Sequence, residues 1–346
     1  MDKKYNSKNH LVLIQCLIVF LFTLNISFAQ DNSMFNKEPV LVLSGNAGDG
    51  HGEFGTIGQG DGMGPMDFIV DNNKDIWIMD VMNRRIQKFD KNGNFILEFP
   101  NEKNPLPFEL AANYIECDQS GNIMVGPLPN GEIVVINNNG EYLHSIKLPD
   151  IQYEQIDFAV NNLGEVIYNH GKDTISMDIN GNKLYQIKDG PLFQGRHSSP
   201  FSTSVVDTLG TDKIIDSDLK KSKENILIIS KSKLIEEDTN SIDKDILFVD
   251  PFDNLFVKTF VSIKPPYKEY ISYYSKNGKL IKKLKETMTQ SNREKWGYTV
   301  YNIDKDGNFY AMEINKPEGT PTQQKDDEIA LIHQSKPFLY IWKWER

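Results

Sequence analysis

Short apolar runs alternate with polar turns along most of this chain. Residues 67–96 read DFIVDNNKDIWIMDVMNRRIQKFDKNGNFI, with two apolar runs around one turn, a third run, a second turn and the start of a fourth run. Short runs rich in β-branched and aromatic residues, bounded by Asp, Asn and Gly, are typical of strands. No segment has a convincing helical period, so the pattern predicts an all-β protein.

The first turn of this stretch recurs along the chain at intervals of about 45 residues. Asp, Asn and Gly suit such turns because they tolerate left-handed backbone, and the Asp and Asn side chains bond to nearby backbone. Six copies indicate a repeat architecture. The copies are DNNKD at 71–75, DQSGN at 118–122, NNLGE at 161–165, DTLGT at 207–211, DPFDN at 250–254 and DKDGN at 304–308.

A second family of turns follows the first, and all four of its members contain Asn-Gly, a strong hairpin signal. Its members are DKNGN at 90–94, NNNGE at 137–141, DINGN at 178–182 and SKNGK at 275–279. Each repeat therefore predicts four antiparallel strands, which is typical of a propeller blade. We predict a six-bladed β-propeller forming one domain, residues 30–346.

The two ends of the chain fit this prediction. The sixth repeat supplies three strands, and the strand PVLVLSG at 39–45 has no repeat of its own. Pairing the two would complete the last blade, close the ring and protect a sheet edge. The fourth repeat, about 190–243, is the least regular because it lacks the Asn-Gly turn.

Residues 1–29 have the pattern of a secretory signal peptide. Three lysines precede an apolar run from Leu11 to about Leu24, and small residues at Ser27 and Ala29 suit signal peptidase. We predict cleavage near Ala29, export to the periplasm or the cell exterior, and no membrane span in the mature chain. A retained anchor is the alternative, although the run is short for one.

Charge and cysteine content narrow the possible partners and cofactors. The formal net charge is −10, and an acidic protein repels the nucleic-acid backbone, so we expect no nucleic-acid partner. Lipidation of Cys16 is disfavoured by the bulky Gln15 before it. After signal removal only Cys117 remains, which excludes an internal disulfide and a cysteine-rich zinc cluster.

The first repeat resembles the NHL-repeat family of six-bladed propellers, and in particular its diverged exported bacterial members. The shared features are GEFG at 52–55, Pro65, a strand ending at Asp80, Asn83-Arg84-Arg85-Ile86 and FDKNG at 89–93. Later repeats keep the turns but lose the Asn-x-Arg-Ile element. The resemblance implies that Asp80, Asn83 and Arg85 stitch the loop between the second and third strands.

Two motifs invite a chemical interpretation that their context does not favour. GHGEFG at 50–55 fits a dinucleotide-binding pattern, but no helix is predicted after it, so we interpret it as a flexible crossover into the first blade. DKDGN at 304–308 resembles the start of a calcium loop, but it lacks the EF-hand spacing, so we predict a hairpin turn.

Histidine positions bear on the question of catalysis. Some six-bladed propellers are metal-dependent lactonases or amidating lyases, with His, Asp or Glu from several blades around the channel. Here the histidines fall at unrelated positions in the repeats, so we predict no catalytic residues and no cofactor, with the metal state open. They are His51, His144, His170, His197 and His333.

Innermost strands line the channel of a propeller, so residues at their starts are candidates for ligand binding. Four residues before the first turn, three repeats carry Asp67, Tyr114 and Asp157, which could bind a sugar or a cation such as Ca²⁺ or Zn²⁺. Solvated acids are the alternative. The tyrosines at 267–274 and Trp342 and Trp344 could also bind a ligand, but we expect them to pack between blades.

Two classes of function remain open, because this fold serves binders and enzymes alike. The first is an exported binding or scaffold propeller that recognises a protein, peptide or glycan on one face of the ring. The second is a metal-assisted hydrolase or lyase that uses the channel. A structural part of an envelope assembly is a third, weaker hypothesis.

Overall fold

All regular elements in the described part of the chain are β-strands, in agreement with the all-β prediction. The structure is a computed structural model. It describes residues 35–346 except 36, 57–63, 107–109, 111, 113, 149–157, 161–163, 171–172, 188–204, 208–227, 231–242, 253, 261–268, 276–278, 285–297 and 315–336.

The strands follow the predicted runs. In the first blade, the first turn joins the first and second strands, the second turn joins the third and fourth strands, and both pairs are antiparallel. In chain order they are β1 (Val40–Ala47), β2 (Glu53–Phe54), β3 (Asp67–Val70), β4 (Ile76–Asp80), β5 (Arg85–Phe89), β6 (Phe95–Phe99), β7 (Tyr114–Cys117), β8 (Ile123–Gly126), β9 (Glu132–Ile136), β10 (Tyr142–Lys147), β11 (Phe158–Val160), β12 (Val166–His170), β13 (Asp173–Met177), β14 (Lys183–Ile187), β15 (Val205–Asp207), β16 (Ile228–Ser230), β17 (Asp243–Val249), β18 (Leu255–Phe260), β19 (Glu269–Tyr274), β20 (Leu280–Lys283), β21 (Tyr298–Ile303), β22 (Phe309–Ile314) and β23 (Leu339–Trp344).

The sheets are the blades of a β-propeller. The first, second and third blades are β3–β6, β7–β10 and β11–β14, the penultimate blade is β17–β20, and the last blade is β21–β23 with β1. The first strand of each blade is innermost, and these strands lie beside one another: β21 contacts β3, β3 contacts β7, β7 contacts β11, and β17 contacts β21.

Five blades are described, not the six that the repeat count predicts. The predicted fourth blade lies largely outside the described residues. Its two described strands, β15 and β16, pair in parallel, whereas all strands of a repeat were predicted to be antiparallel. The strand predicted directly after the turn at 207–211 lies outside the described residues. A parallel pair needs a crossover instead of a tight turn. This repeat lacks the Asn-Gly turn, so its sequence does not specify a hairpin between the two strands.

The predicted closing strand is confirmed. β1 pairs antiparallel with β23, and thus supplies the fourth strand of the last blade. The sequence missed the two-residue strand β2, which adds to the outer edge of β1 in parallel. This part of the Gly-rich segment is therefore paired, although we predicted a flexible crossover there.

The hydrophobic core lies between blades, because each twisted sheet packs face to face with its neighbours. Four such layers are described. Phe68 and Ile341 mark the layer between the last and first blades, Trp77 and Val134 the next, and Met124 and Tyr168 the third. The fourth, between the penultimate and last blades, holds Phe256, Phe309 and Trp344, and Phe35 ahead of β1 packs edge-on against Phe256.

Candidate functional site

The two turn families share one face of the ring. We call 71–75, 118–122, 250–254 and 304–308 the inner turns, and 90–94, 137–141, 178–182 and 275–279 the outer turns. Because neighbouring strands are antiparallel, both families emerge at one face, the turn face, while the loops between second and third strands and the links between blades emerge at the opposite loop face. The starts of the innermost strands, where Asp67 and Tyr114 lie, are at the loop face.

Asp67 is buried, and both of its carboxylate oxygens accept backbone hydrogen bonds. One oxygen accepts from Phe68 N at 2.9 Å, and the other accepts from Ile115 N of β7 at 2.9 Å. The side chain therefore bridges the innermost strands of the first and second blades. An innermost strand has an unpaired backbone edge, so this bridge satisfies an amide that the sheet leaves open.

Asn302 makes the same kind of bridge one blade earlier, and the sequence analysis missed it. Its amide nitrogen donates to Phe68 O at 3.2 Å, and its oxygen accepts from Ile303 N at 2.8 Å. Glu116 on β7 is a third buried polar residue along these neighbouring strands. The signal that could have found Asn302 is its position on the innermost strand of the sixth repeat, two residues before the inner turn.

The other two channel candidates are placed differently. Tyr114 is the first residue of β7, where it pairs with Gly126, and its side chain is partly exposed. It packs against the core between the second and third blades. Asp157 lies outside the described residues.

Asp80, Asn83 and Arg85 lie together at the loop face of the first blade. One oxygen of the buried Asp80 accepts from Gly55 N at 2.9 Å, and the other accepts from Asn83 Nδ2 at 2.8 Å and Arg85 Nε at 3.2 Å. Burial raises the pKa of Asp80, while the hydrogen bonds from Asn83 and the charge of Arg85 oppose that rise.

Arg85 extends this cluster to the Gly-rich segment. Its guanidinium donates to Gly50 O at 2.8 Å, to Glu53 O at 3.1 Å and to the Glu98 carboxylate at 2.8 Å. Gln87 adds two more bonds, accepting from Gly52 N and donating to Glu53 O. These contacts hold the start of the Gly-rich segment against the first blade, and the described part of that segment begins no helix that could face a pyrophosphate.

The inner turns hold buried carboxylates that accept from aromatic donors. Trp77 Nε1 donates to Asp71 at 3.0 Å, Tyr310 OH donates to Asp304 at 3.1 Å, and Tyr273 OH donates to Asp250. Burial raises the pKa of Asp71. Burial and the neighbouring carboxylates also raise the pKa of the two tyrosines, which keeps both phenols protonated donors.

DKDGN at 304–308 is an inner turn of this kind. Asp304 Oδ1 accepts from the backbone nitrogens of Asp306 and Asn308, each at 2.9 Å, and Oδ2 accepts from Asn308 Nδ2 at 2.8 Å. The carboxylate is turned inward on its own backbone, as the hairpin prediction requires.

The described histidines do not converge. His51 stacks on Phe95 with ring centres 4.2 Å apart, His144 Nε2 lies 2.8 Å from Ile179 O, and His170 ends β12. His197 and His333 lie outside the described residues. Within the described part of the chain, no group of three or more His, Cys, Asp or Glu side chains is placed to hold a metal ion.

The aromatic candidates that the structure describes belong to the core. Tyr273 and Trp344 are buried between the penultimate and last blades, and Trp342 packs against the same layer. Tyr274 is also buried. Tyr267 and the side chain of Tyr270 lie outside the described part of the chain.

No described helix is long and apolar enough to cross a membrane.

Comparison with known proteins finds structural similarity only. No family model and no curated protein matches the chain. Virginiamycin B lyase from Staphylococcus aureus is 10% identical, with a TM-score of 0.44 and coverage of 84% of this chain and 98% of that chain. The WD40 repeats of RRP9 are 8% identical, with a TM-score of 0.45 and coverage of 89% and 100%. Hydrazine synthase of Kuenenia stuttgartiensis is 11% identical, with a TM-score of 0.44 and coverage of 72% and 76%. The propeller assignment therefore depends on the strand order itself.

Proposed function

We propose that the mature chain is an exported, non-enzymatic binding propeller that holds a protein, peptide or glycan at the loop face. The hydrogen bonding of the Asp67 carboxylate supports this proposal. Its two oxygens accept hydrogen bonds from Phe68 N and Ile115 N, so this candidate ligand-binding acid stabilises the ring instead of facing a substrate. The inner-turn acids are engaged in the same way, through Asp71, Asp250 and Asp304.

The connections at the loop face differ in length from one blade to the next. The turn face repeats one hydrogen-bonded turn, whereas the connections on the loop face range from two residues between β12 and β13 to the long segment between β22 and β23. Binding residues are commonly carried on loops that a rigid scaffold positions. Tyr114 lies at this face with a partly exposed ring, which suits stacking on a sugar or an apolar peptide side chain.

We also propose three further features of the chain that its sequence predicts. A sixth blade would occupy about residues 190–243, between the third and penultimate blades, and would close the ring. Kinship with diverged NHL propellers and removal of residues 1–29 are part of the same proposal.

Binding is tested with the mature chain, residues 30–346, on peptide and glycan arrays, followed by titration calorimetry of the best ligand. We expect Tyr114→Ala to weaken binding at least about ten-fold, the range of a lost aromatic anchor. Tyr142→Ala, an exposed tyrosine near an outer turn, is the matched control and should bind normally. If the Tyr114 variant and the wild type bind with equal affinity, Tyr114 is not part of the binding site. If no peptide and no glycan on either array binds, the result counts against the binding function.

Export is tested by cell fractionation and N-terminal sequencing of the processed chain. We expect the protein in the periplasm or the medium, beginning at Gln30. A chain that retains Met1 in the membrane fraction would contradict cleavage near Ala29.

The second candidate is a metal-assisted hydrolase or lyase, and one observation favours it. Asp67 and Glu116 place buried carboxylates on adjacent innermost strands, and a Ca²⁺ or Zn²⁺ ion in the channel would be attracted to them. Elemental analysis after purification without chelators tests this. About one ion per chain, lost in Asp67→Ala with Asp157→Ala, would support the enzyme. A metal-free protein would leave the binding function as the better account.

A further inference from the structure

The last blade carries a regular patch of aromatic side chains around one acid. Strands β21, β22 and β23 pair antiparallel with no register shift, so directly opposed residues share a face of the sheet. Ala311 belongs to the core between the penultimate and last blades, and alternate residues of a strand share a face, so two rows of three side chains face the penultimate blade. We call these six residues the Glu313 patch: Tyr301, Ala311 and Trp342 in one row, and Thr299, Glu313 and Tyr340 in the row nearer the loop face.

The row nearer the loop face is partly open to solvent. Ala311 in the other row is fully buried. Thr299, Glu313 and Tyr340 are all partly exposed. Tyr340 OH donates to Pro337 O at 2.9 Å, which fixes the phenol at the edge of the patch. The carboxylate of Glu313 therefore lies between two accessible side chains that carry no charge.

Glu313 is a partly buried acid without a counter-charge. Among the described residues, no lysine, arginine or histidine forms a salt bridge with its carboxylate. Burial raises the pKa of Glu313, and the nearby Trp342 indole N–H partly opposes that rise. Nε1 of Trp342 is itself buried and has no hydrogen-bond partner of good geometry in the described part of the chain. Because buried charges in proteins are nearly always paired, this acid is suited to a cation supplied by a ligand.

The same face already places a cation on an aromatic ring. Lys258 Nζ of β18 lies 5.9 Å from the centre of the Tyr301 ring. Ammonium and guanidinium groups are attracted to the faces of Trp and Tyr rings. The chain also has a formal net charge of −10, which attracts a positively charged partner before contact. Local and long-range electrostatics thus favour the same class of ligand.

We propose that the Glu313 patch binds a lysine or arginine side chain of a peptide or protein held at the loop face, an inference that rests on the proposed function. The cationic group pairs with the Glu313 carboxylate, and its aliphatic stem lies against the rings of Trp342 and Tyr340. Arginine is favoured over lysine, because its planar guanidinium can donate two parallel hydrogen bonds to a carboxylate and stack on an aromatic ring.

The contact can be observed directly, because the chain has only four tryptophans. Each indole N–H gives one signal in a proton–nitrogen correlation spectrum of the mature chain, and Trp342→Phe identifies the signal of Trp342. Titration with N-acetyl-arginine amide should shift that signal until it saturates. N-acetyl-citrulline amide has nearly the same shape without the charge, and it should bind at least about five-fold more weakly.

A neutral variant tests the role of the acid. Glu313→Gln keeps the shape of the side chain and should reduce the affinity for the arginine amide to that for the citrulline amide. Glu102→Gln is the matched control, because it removes the same charge from an exposed residue at the loop face, and it should bind like the wild type. The melting temperature of each variant shows that the protein still folds.

Three results would overturn this inference: a Trp342 signal that the arginine amide does not move, equal affinity for the two amides, or a preference for arginine that persists in Glu313→Gln. The arrays separate this inference from the proposed function. Array ligands that bind without a basic residue would support the binding function and contradict the role of the Glu313 patch. Silent arrays with a Trp342 signal that responds to arginine would support the patch and count against the wider binding function.

Discussion

The inner and outer turns have the same local design but different surroundings. Asp304 and Asp90 each accept from the backbone amides two and four residues ahead and from the Asn side chain four residues ahead. Asp304 is fully buried and also accepts from Tyr310 OH, whereas Asp90 lies at the rim in contact with water. The local sequence therefore specifies the turn conformation. The position of the turn in the ring decides how much the aspartate contributes to the stability of the protein.

We expect the largest difference in stability between inner-turn and outer-turn variants when the aspartate carboxylate is removed from each turn. Asp304→Ala leaves several buried donors without an acceptor, and should lower the free energy of unfolding by about 4 kcal/mol. Asp90→Ala breaks the equivalent bonds, but water can replace them, so we expect a much smaller loss. Urea unfolding of both variants checks this. Similar losses would mean that burial does not separate the two turn families.

A buried lysine links the two families, and it gives the next largest effect. Lys88 Nζ lies 2.9 Å from Asp75 in the inner turn of the first blade, and donates to Asn138 Oδ1 in the outer turn of the second blade at 2.6 Å. Lys88→Met removes the partner of the partly buried Asp75 and Asn138, so we expect a loss of about 3 kcal/mol.

The control for Lys88 is an exposed pair on the same face. Lys74 Nζ lies 2.6 Å from Asp306 and joins the inner turns of the first and last blades, with both side chains about one-third exposed or more. Lys74→Met should cost less than about 1 kcal/mol. Thermal unfolding of the two variants gives the comparison, and an equal cost would contradict the importance of burial.

For the glycines, we expect the outer turn to be more sensitive to substitution than the inner turn, because the outer turn is the more crowded of the two. A Cβ on Gly93 would lie 2.3 Å from the Val42 carbonyl oxygen, whereas a Cβ on Gly121 of an inner turn would meet no atom within 4 Å. Both glycines have positive φ, 82° and 83°, so both alanine variants carry the same left-handed strain. We expect Gly93→Ala to cost about 2 kcal/mol more than Gly121→Ala. Equal losses in the free energy of unfolding, measured with denaturant, would show that β1 can move to accommodate the added methyl group.

The smallest expected effect is a difference in pH dependence. Hydrogen bonds from Asn94 lower the pKa of Asp90, so its contribution to stability is present above the ordinary value of 3.8 and is lost as the pH falls through the lowered pKa. Burial raises the pKa of Asp71, so the folded state binds its proton first, and stability gains from Asp71 as the pH falls from the raised pKa toward 3.8.

Asn variants isolate these two contributions. Stability of the wild type relative to Asp90→Asn should fall with decreasing pH, whereas stability relative to Asp71→Asn should rise. Urea midpoints between about pH 3 and pH 7 measure both curves. Two curves with the same slope would contradict the opposite shifts.

The prediction of the fold was most accurate where local sequence carries the information. The turn residues and short apolar runs specified the hairpins of the first, second and last blades, and the unpaired strand at 39–45 pointed to its partner β23. The blade count was less secure, because one repeat lacks the Asn-Gly turn that fixes a hairpin. β2 was missed because two residues carry no period, and its pairing depends on β1 and on Arg85.

Site residues were harder to interpret from sequence than strands. Asp67 stood out because it is an acid at the start of an innermost strand, but only the ring shows that Ile115 N of the next blade reaches it. Asn302 was missed because its partner, Phe68 O, is 234 residues away in the chain. A hydrogen bond between distant segments leaves no trace in local composition.

The sequence by itself determined that this protein is built of strands, where its hairpins turn, and that its first strand must pair with its last. These features depend on backbone preferences and side-chain alternation within a few residues. Only the tertiary structure decided which aspartates are buried and which of two similar turns has room for a Cβ. Those properties arise from the packing of one blade against the next, and so from residues that are far apart along the chain.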